Sequence, residues 1–179
     1  VITTTTLAPA TVGHSFSFAL SASSGTPPYS WSIANGSLPP GLGLNTSSGT
    51  LSGSAATAGT CAFTVKVTDA ANQEAMASLS WTVNPALSIT TATIPETTLT
   101  RPLTAITLAA TGGTAPRTWS ATGLPSGLSL NSSGVLSGTP SAAASTPVEF
   151  KVSDANGATA TTTLSVTVNP APSIVTASL

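Results

Sequence analysis

Few side chains in this chain are able to do chemistry. One histidine, one cysteine and five acids are spread over 179 residues. His14 is the sole base for a Ser-His-Asp arrangement, and no Gly-x-Ser-x-Gly elbow accompanies it. It reads as a surface loop residue before a strand. The acids Asp69, Glu74, Glu96, Glu149 and Asp154 form no local pair of the sort that flanks a glycosidic bond. Cys61 has no partner for an internal disulfide. Its place on the inward face of an alternating segment predicts a buried, inert thiol, with a link between chains as the other use open to it. Lys66 and Lys151 fall on outward positions, which suits solvated lysines and not a buried amide cross-link. No catalytic residue is expected, and the chain reads as a non-enzyme.

Two binding chemistries are weighed against that background. Calcium takes six to eight oxygen ligands, usually with several carboxylates. Asp69 and Asp154 are the candidates, but each stands alone at a turn, where a carboxylate ordinarily caps local N–H groups. No cofactor is expected beyond that one ion. Flat aromatic rings stack on sugars, and Trp31, Trp81 and Trp119 are the rings available. Trp31 shares parity with Tyr29 and Ile33, and Trp81 with Leu79 and Val83, which places both in a core. Trp81 is the candidate for glycan contact, because its counterpart later in the chain is Val166.

The elements that position these residues come from a sentence written twice. Leu38 to Gly53 reads Leu-Pro-Pro-Gly-Leu-Gly-Leu-Asn-Thr-Ser-Ser-Gly-Thr-Leu-Ser-Gly, and Leu124 to Gly138 repeats it with Leu-Pro-Ser-Gly-Leu-Ser-Leu-Asn-Ser-Ser-Gly-Val-Leu-Ser-Gly. Trp31 and Trp119 lie 88 residues apart, Gly41 and Gly127 86, and Asp69 and Asp154 85. Such a match marks an internal repeat with small deletions in its loops. It predicts domains at 1–85 and 86–170. Residues 171–179 then begin a third repeat or a linker, since Ser173-Ile174-Val175-Thr176 restarts like Ser88-Ile89-Thr90-Thr91. The start at Val1 suggests a piece of a longer protein.

Within each repeat the period is two. Val1 to Thr6 is a β-branched run that suits a first strand. Phe16, Phe18 and Leu20 alternate with small polar residues. Cys61, Phe63, Val65 and Val67 face in, Asp69-Ala70-Ala71-Asn72 turns, and Leu79, Trp81 and Val83 return. Val148, Phe150 and Val152, then Leu164, Val166 and Val168, repeat this. Leu42, Leu44 and Leu51 of the repeated sentence are expected to plug the end of the module. No window keeps a helical period, so the fold class is all-β: two tandem Ig-like antiparallel β-sandwiches of about seven strands each, arranged end to end. The short Asn84-Pro85 join predicts an elongated rod.

Charged residues are 5% of the chain and the net charge is -1, which leaves no pull toward nucleic acid or an anionic membrane. No apolar run approaches a bilayer span, so no membrane insertion is expected.

The repeated sentence, with Gly25-Thr26-Pro27-Pro28-Tyr29-Ser30-Trp31 and Phe63-Thr64-Val65-Lys66-Val67-Thr68-Asp69, resembles the Ig-like repeats of bacterial surface and secreted proteins, related in fold to the dystroglycan-type cadherin-like domains. The family pattern covers nearly all of both repeats. Departures are Ser24-Gly25 for a double glycine, Ser54-Ala55 for Thr-Pro, and Arg117 for an aromatic; the first copy's following loop is therefore expected to differ in shape. The resemblance implies a spacer, stalk or adhesion module at the cell surface or outside the cell. Its partners would be adjacent repeats of the same protein, with a surface protein or glycan beyond them. The alternative is a carbohydrate-binding accessory module of an extracellular glycoside hydrolase.

Overall fold

The computed structural model describes residues 1–174, and all regular structure in them is β. The chain divides into two compact units. The first comprises Val1–Leu87 with Gly112–Ala115 and Ala155–Ala158, and the second comprises Ser88–Thr111, Pro116–Asp154 and Thr159–Leu179.

The first unit contains β1 (Ala10–Thr11), β2 (Ser15–Ala19), β3 (Ser30–Gly36), β4 (Leu42–Leu44), β5 (Thr50–Ser54), β6 (Gly59–Thr68) and β7 (Glu74–Asn84). They form a four-stranded sheet in the order β1-β7-β6-β3 and a three-stranded sheet in the order β2-β5-β4. All pairs are antiparallel except β1, which runs parallel to β7. The strict alternation of β6 and β7 buries Phe63, Val65, Val67, Leu79, Trp81 and Val83, together with Trp31 from β3 of the same sheet, against Leu51 from across the sandwich. Their outward partners are Thr, Ser and Lys66, so this is a sheet wetted on one face only.

The opening run is shorter than the sequence predicts. Val1 to Thr6 forms no strand, only a bridge between Ile2 and Ala22 with Thr3 donating to Ser21 O at 2.8 Å. Pro9 has no N–H to give a ladder, and pairing resumes past it, on the other sheet, at Ala10–Thr11.

The second unit contains β8 (Ser88–Ile89), β9 (Thr97–Thr98), β10 (Leu103–Thr107), β11 (Ala110–Thr111), β12 (Thr118–Thr122), β13 (Leu128–Leu130), β14 (Val135–Gly138), β15 (Ala144–Ser153) and β16 (Thr159–Asn169). The sheets are β12-β15-β16-β9 and β10-β14-β13, with β8 and β11 as a separate pair. That pair widens into two residues the single bridge at Ile2. Val148, Phe150, Val152, Val166 and Val168 are buried, with Leu136 opposite; Leu164 is half-buried. The restart expected at Ser173 has no strand at Ser173 and Ile174, and its remainder lies outside the described residues.

The repeated sentence is a hairpin of the three-stranded sheet in each unit and not a plug at the end. Leu42 pairs with Gly53 and Leu44 with Leu51; Leu128 pairs with Gly138 and Leu130 with Leu136. The central strand carries the fully buried leucine in both, Leu51 and Leu136.

Candidate functional site

The repeated hairpin turn is where both units concentrate unusual local chemistry. Asn45 Oδ1 accepts the N–H groups of Ser47 and Ser48, each at 3.0 Å, and Asn131 Oδ1 accepts those of Ser133 and Val135 at 3.0 and 2.9 Å. An asparagine that bonds its own following backbone is an Asx turn. The turn is held from both sheets: Trp31 N–H of the facing sheet donates to Thr46 O at 2.7 Å, and Leu20 N–H, just past β2 in the same sheet as the turn, donates to Gly49 O at 3.0 Å. Trp119 to Ser132 and Leu108 to Gly134 repeat the two bonds at 3.0 and 2.8 Å.

Above each turn lies an indole. A Cβ placed on Gly49 would stand 2.7 Å from Trp31 Cε2 and Nε1, and one on Gly134 would stand 2.8 Å from Trp119 Cδ1 and Nε1. Both glycines have positive φ, 71° and 85°. The indole face is therefore seated on bare backbone, and only glycine meets both the steric and the dihedral demand. Asparagine, glycine and tryptophan make one structural device, with no ring face left for a ligand.

The third ring is enclosed as well. Trp81, the candidate for glycan contact, has no exposed surface. Its Nε1 donates to Ala8 O at 3.0 Å and its ring meets Phe16 at a centroid distance of 4.7 Å. A ring packed this way offers no platform for a sugar, and the sequence comparison with Val166 misleads because a larger side chain filled the same inward position. Cys61 is a correction in the other direction: it is half-buried and not buried, because it lies near the start of β6, opposite Trp81.

The acids are dispersed. Asp69 Oδ1 accepts N–H groups of Ala71 and Gln73 at 2.9 and 2.8 Å, and Oδ2 accepts that of Thr26 at 2.9 Å. The bonds from Thr26 and Gln73 hold its carboxyl below the usual carboxylate range. The local pair is an ordinary turn cap. The bond to Thr26, 43 positions away, ties the β6–β7 turn to the loop before β3, which no sequence spacing reveals. Asp154 is 6% exposed. Glu74 pairs with Lys66 at 2.7 Å on the outer face, Glu96 accepts Asn169 Nδ2 at 2.8 Å, and Glu149 is exposed on β15. His14 is half-buried in the turn before β2. Among the described residues, no three or more of His, Cys, Asp and Glu gather in a group able to hold a metal. Lys151 is exposed.

The departures from the family pattern change less than expected. Ser54 N–H donates to Gly41 O and Ala56 N–H to Pro40 O at 3.1 and 2.9 Å; Thr139 to Gly127 and Ser141 to Ser126 repeat them, both at 3.0 Å. The loop after the first sentence thus keeps the bonds of the second, because the position taken by Ala55 or Pro140 is buried and neither scheme calls on its N–H. Tyr29 OH donates to Ser24 O, and Arg117 Nη1 to Ala110 O, both at 2.9 Å. Tyrosine reaches back to the preceding turn and arginine to β11.

Among surface depressions, an open groove of about 370 Å³ in the second unit runs past Glu96, Arg101, Pro102, Leu103 and Ile106. In the first unit, one of about 260 Å³ lies beside Tyr29, Asp69 and Glu74.

Two closed sandwiches, each built on the same hairpin and its indole, define a tandem of Ig-like modules. Residues 1–84 and 85–169 each match the He_PIG family, the "Putative Ig domain", and the chain belongs to that family. Among solved structures, the I67–I69 I-band fragment of titin is 17% identical, over 91% of this chain and 62% of its own, at a TM-score of 0.51. A "putative alpha-galactosidase" of Bacteroides fragilis is 26% identical over 46% of this chain and 17% of its own, at 0.42. The extracellular domain of protocadherin gamma B4 is 18% identical over 94% and 34%, at 0.40. The chain spans less than two thirds of each. The titin likeness speaks for the fold; the other two are too distant in shape to add to it. No curated protein matches the chain.

Proposed function

We propose that the chain is a non-catalytic pair of Ig-like modules serving as a spacer or adhesion segment of a bacterial surface or secreted protein, working outside the cell beside further repeats of its own kind. The observation that carries this reading is that the indoles and the Asp69 carboxylate are committed to the fold: Trp31, Trp81 and Trp119 are 4%, 0% and 9% exposed, and Asp69 holds three backbone N–H groups. A surface rich in Ser and Thr and poor in charge suits a module whose task is to stay folded and inert. The burial of Trp81 counts against an accessory role in polysaccharide binding. Among the described residues no helix is long and apolar enough to cross a membrane.

The test is a glycan array and a pull-down on insoluble polysaccharides, run beside thermal melts in calcium and in chelator. The reading predicts blank binding and coincident melts. Saturable glycan binding, or a melting point raised by calcium, would replace it.

A further inference from the structure

We propose that Asn35 is a site of spontaneous covalent self-modification, at which the backbone nitrogen of Gly36 converts the side-chain amide to a cyclic imide and then to an acid. Asn35 and Gly36 end β3, the edge strand of its sheet, just past a register shift between Ile33 and Asn35. Both are exposed. The Gly36 N–H is directed at Asn35 Oδ1 at 2.8 Å, so the nitrogen that must attack is already in contact with the side-chain amide group. The glycine has a φ of 75° and carries no side chain to shield that nitrogen. A depression of about 270 Å³ beside the pair, lined also by Ala62, Thr64 and Ser78, gives water access.

The step balances with water as the sole co-reactant. Gly36 N loses its proton to solvent and bonds to Asn35 Cγ, the Cγ–Nδ2 bond breaks, and Nδ2 takes a proton back from solvent and leaves as ammonia. Water then adds to one of the two imide carbonyls and reopens a C–N bond. Opening at Cγ leaves aspartate; opening at the main-chain carbonyl leaves isoaspartate, with the chain routed through Cβ. Either product adds a negative charge to a chain of net charge -1. Isoaspartate also lengthens the backbone next to the Gly36 and Phe63 pairing, at a sheet edge where an altered strand end is tolerated.

Asn156-Gly157, the chain's other Asn-Gly pair, is the internal comparison. Its Asn156 side-chain amide already donates hydrogen bonds, which hold the group that would have to leave.

The full chain is incubated in mildly alkaline buffer, native and in urea, and both sites are followed by peptide mapping with fragmentation that separates isoaspartate from aspartate. In the native chain Asn35 is expected to convert about tenfold or more faster than Asn156, as the loss of two hydrogen bonds at the second site implies, while in urea the two rates converge. The N35Q variant should lose the accompanying acidic shift in isoelectric focusing. Native protection of Asn35 to the level of Asn156, or equal native rates at both sites, would overturn the proposal.

Discussion

At the scale of single residues, the two repeats serve as each other's control. Among the described residues, the three non-glycine residues with positive φ, Ser24, Asn72 and Thr100, stand where the other copy has Gly112, Gly157 and Gly13. Thr100 is the most strained, since a β-branched side chain is poorly tolerated at φ of 66°. Replacing it with glycine removes roughly 1–2 kcal/mol of left-handed strain and adds back roughly 0.5–1 kcal/mol of chain entropy. Thr100→Gly should therefore raise stability by about 0.5–1 kcal/mol, read from the urea midpoint. The glycines under the indoles predict the opposite: Gly49→Ala and Gly134→Ala should each cost about 2–4 kcal/mol, combining strained φ with overpacking. Asp69 supplies a pH test. Its folded carboxyl ionises below its ordinary value of 3.8, so its contribution is complete above that value and is lost as pH falls through the lower folded one. The stability gap between the wild type and Asp69→Asn, measured by urea melts across acid pH, should shrink as pH drops below about 4; a gap that widens would reverse the sign.

At the scale of elements, the reading rests on the repeated hairpin. Leu51 and Leu136 sit on central strands and are fully buried, while Leu44 and Leu130 are half-buried on edge strands. Leu51→Ala and Leu136→Ala should cost about 3–5 kcal/mol, and Leu44→Ala or Leu130→Ala about half as much. Equal costs would favour a plug at the module end. Long alternating strands were legible from sequence because one wet and one dry face write a period of two along β6, β7, β15 and β16. The hairpin was legible as a repeat but not as a sheet, since strands of three to five residues carry too few side chains to show a period. Parallel β1 and β9 left no signal, being two residues long. The Asp69 carboxylate was readable as a turn cap, but its bond to Thr26 depends on how distant loops meet.

At the scale of the whole molecule, the three indoles are enclosed in the two folds and withheld from ligands. Sequence limits the remaining chemistry through composition, because 5% charged residues leave few groups to assemble. Parity places Trp81 in the core while its counterpart Val166 keeps it open as a glycan candidate; the ring is fully buried, and the two copies differ in how one inward position is filled. All three tryptophans of the chain therefore report on the claim together. Iodide quenching of tryptophan emission in the native chain tests it most directly: the account predicts a slope several-fold lower than in the urea-unfolded chain. A native slope equal to the unfolded one would place the indoles in solvent and contradict it.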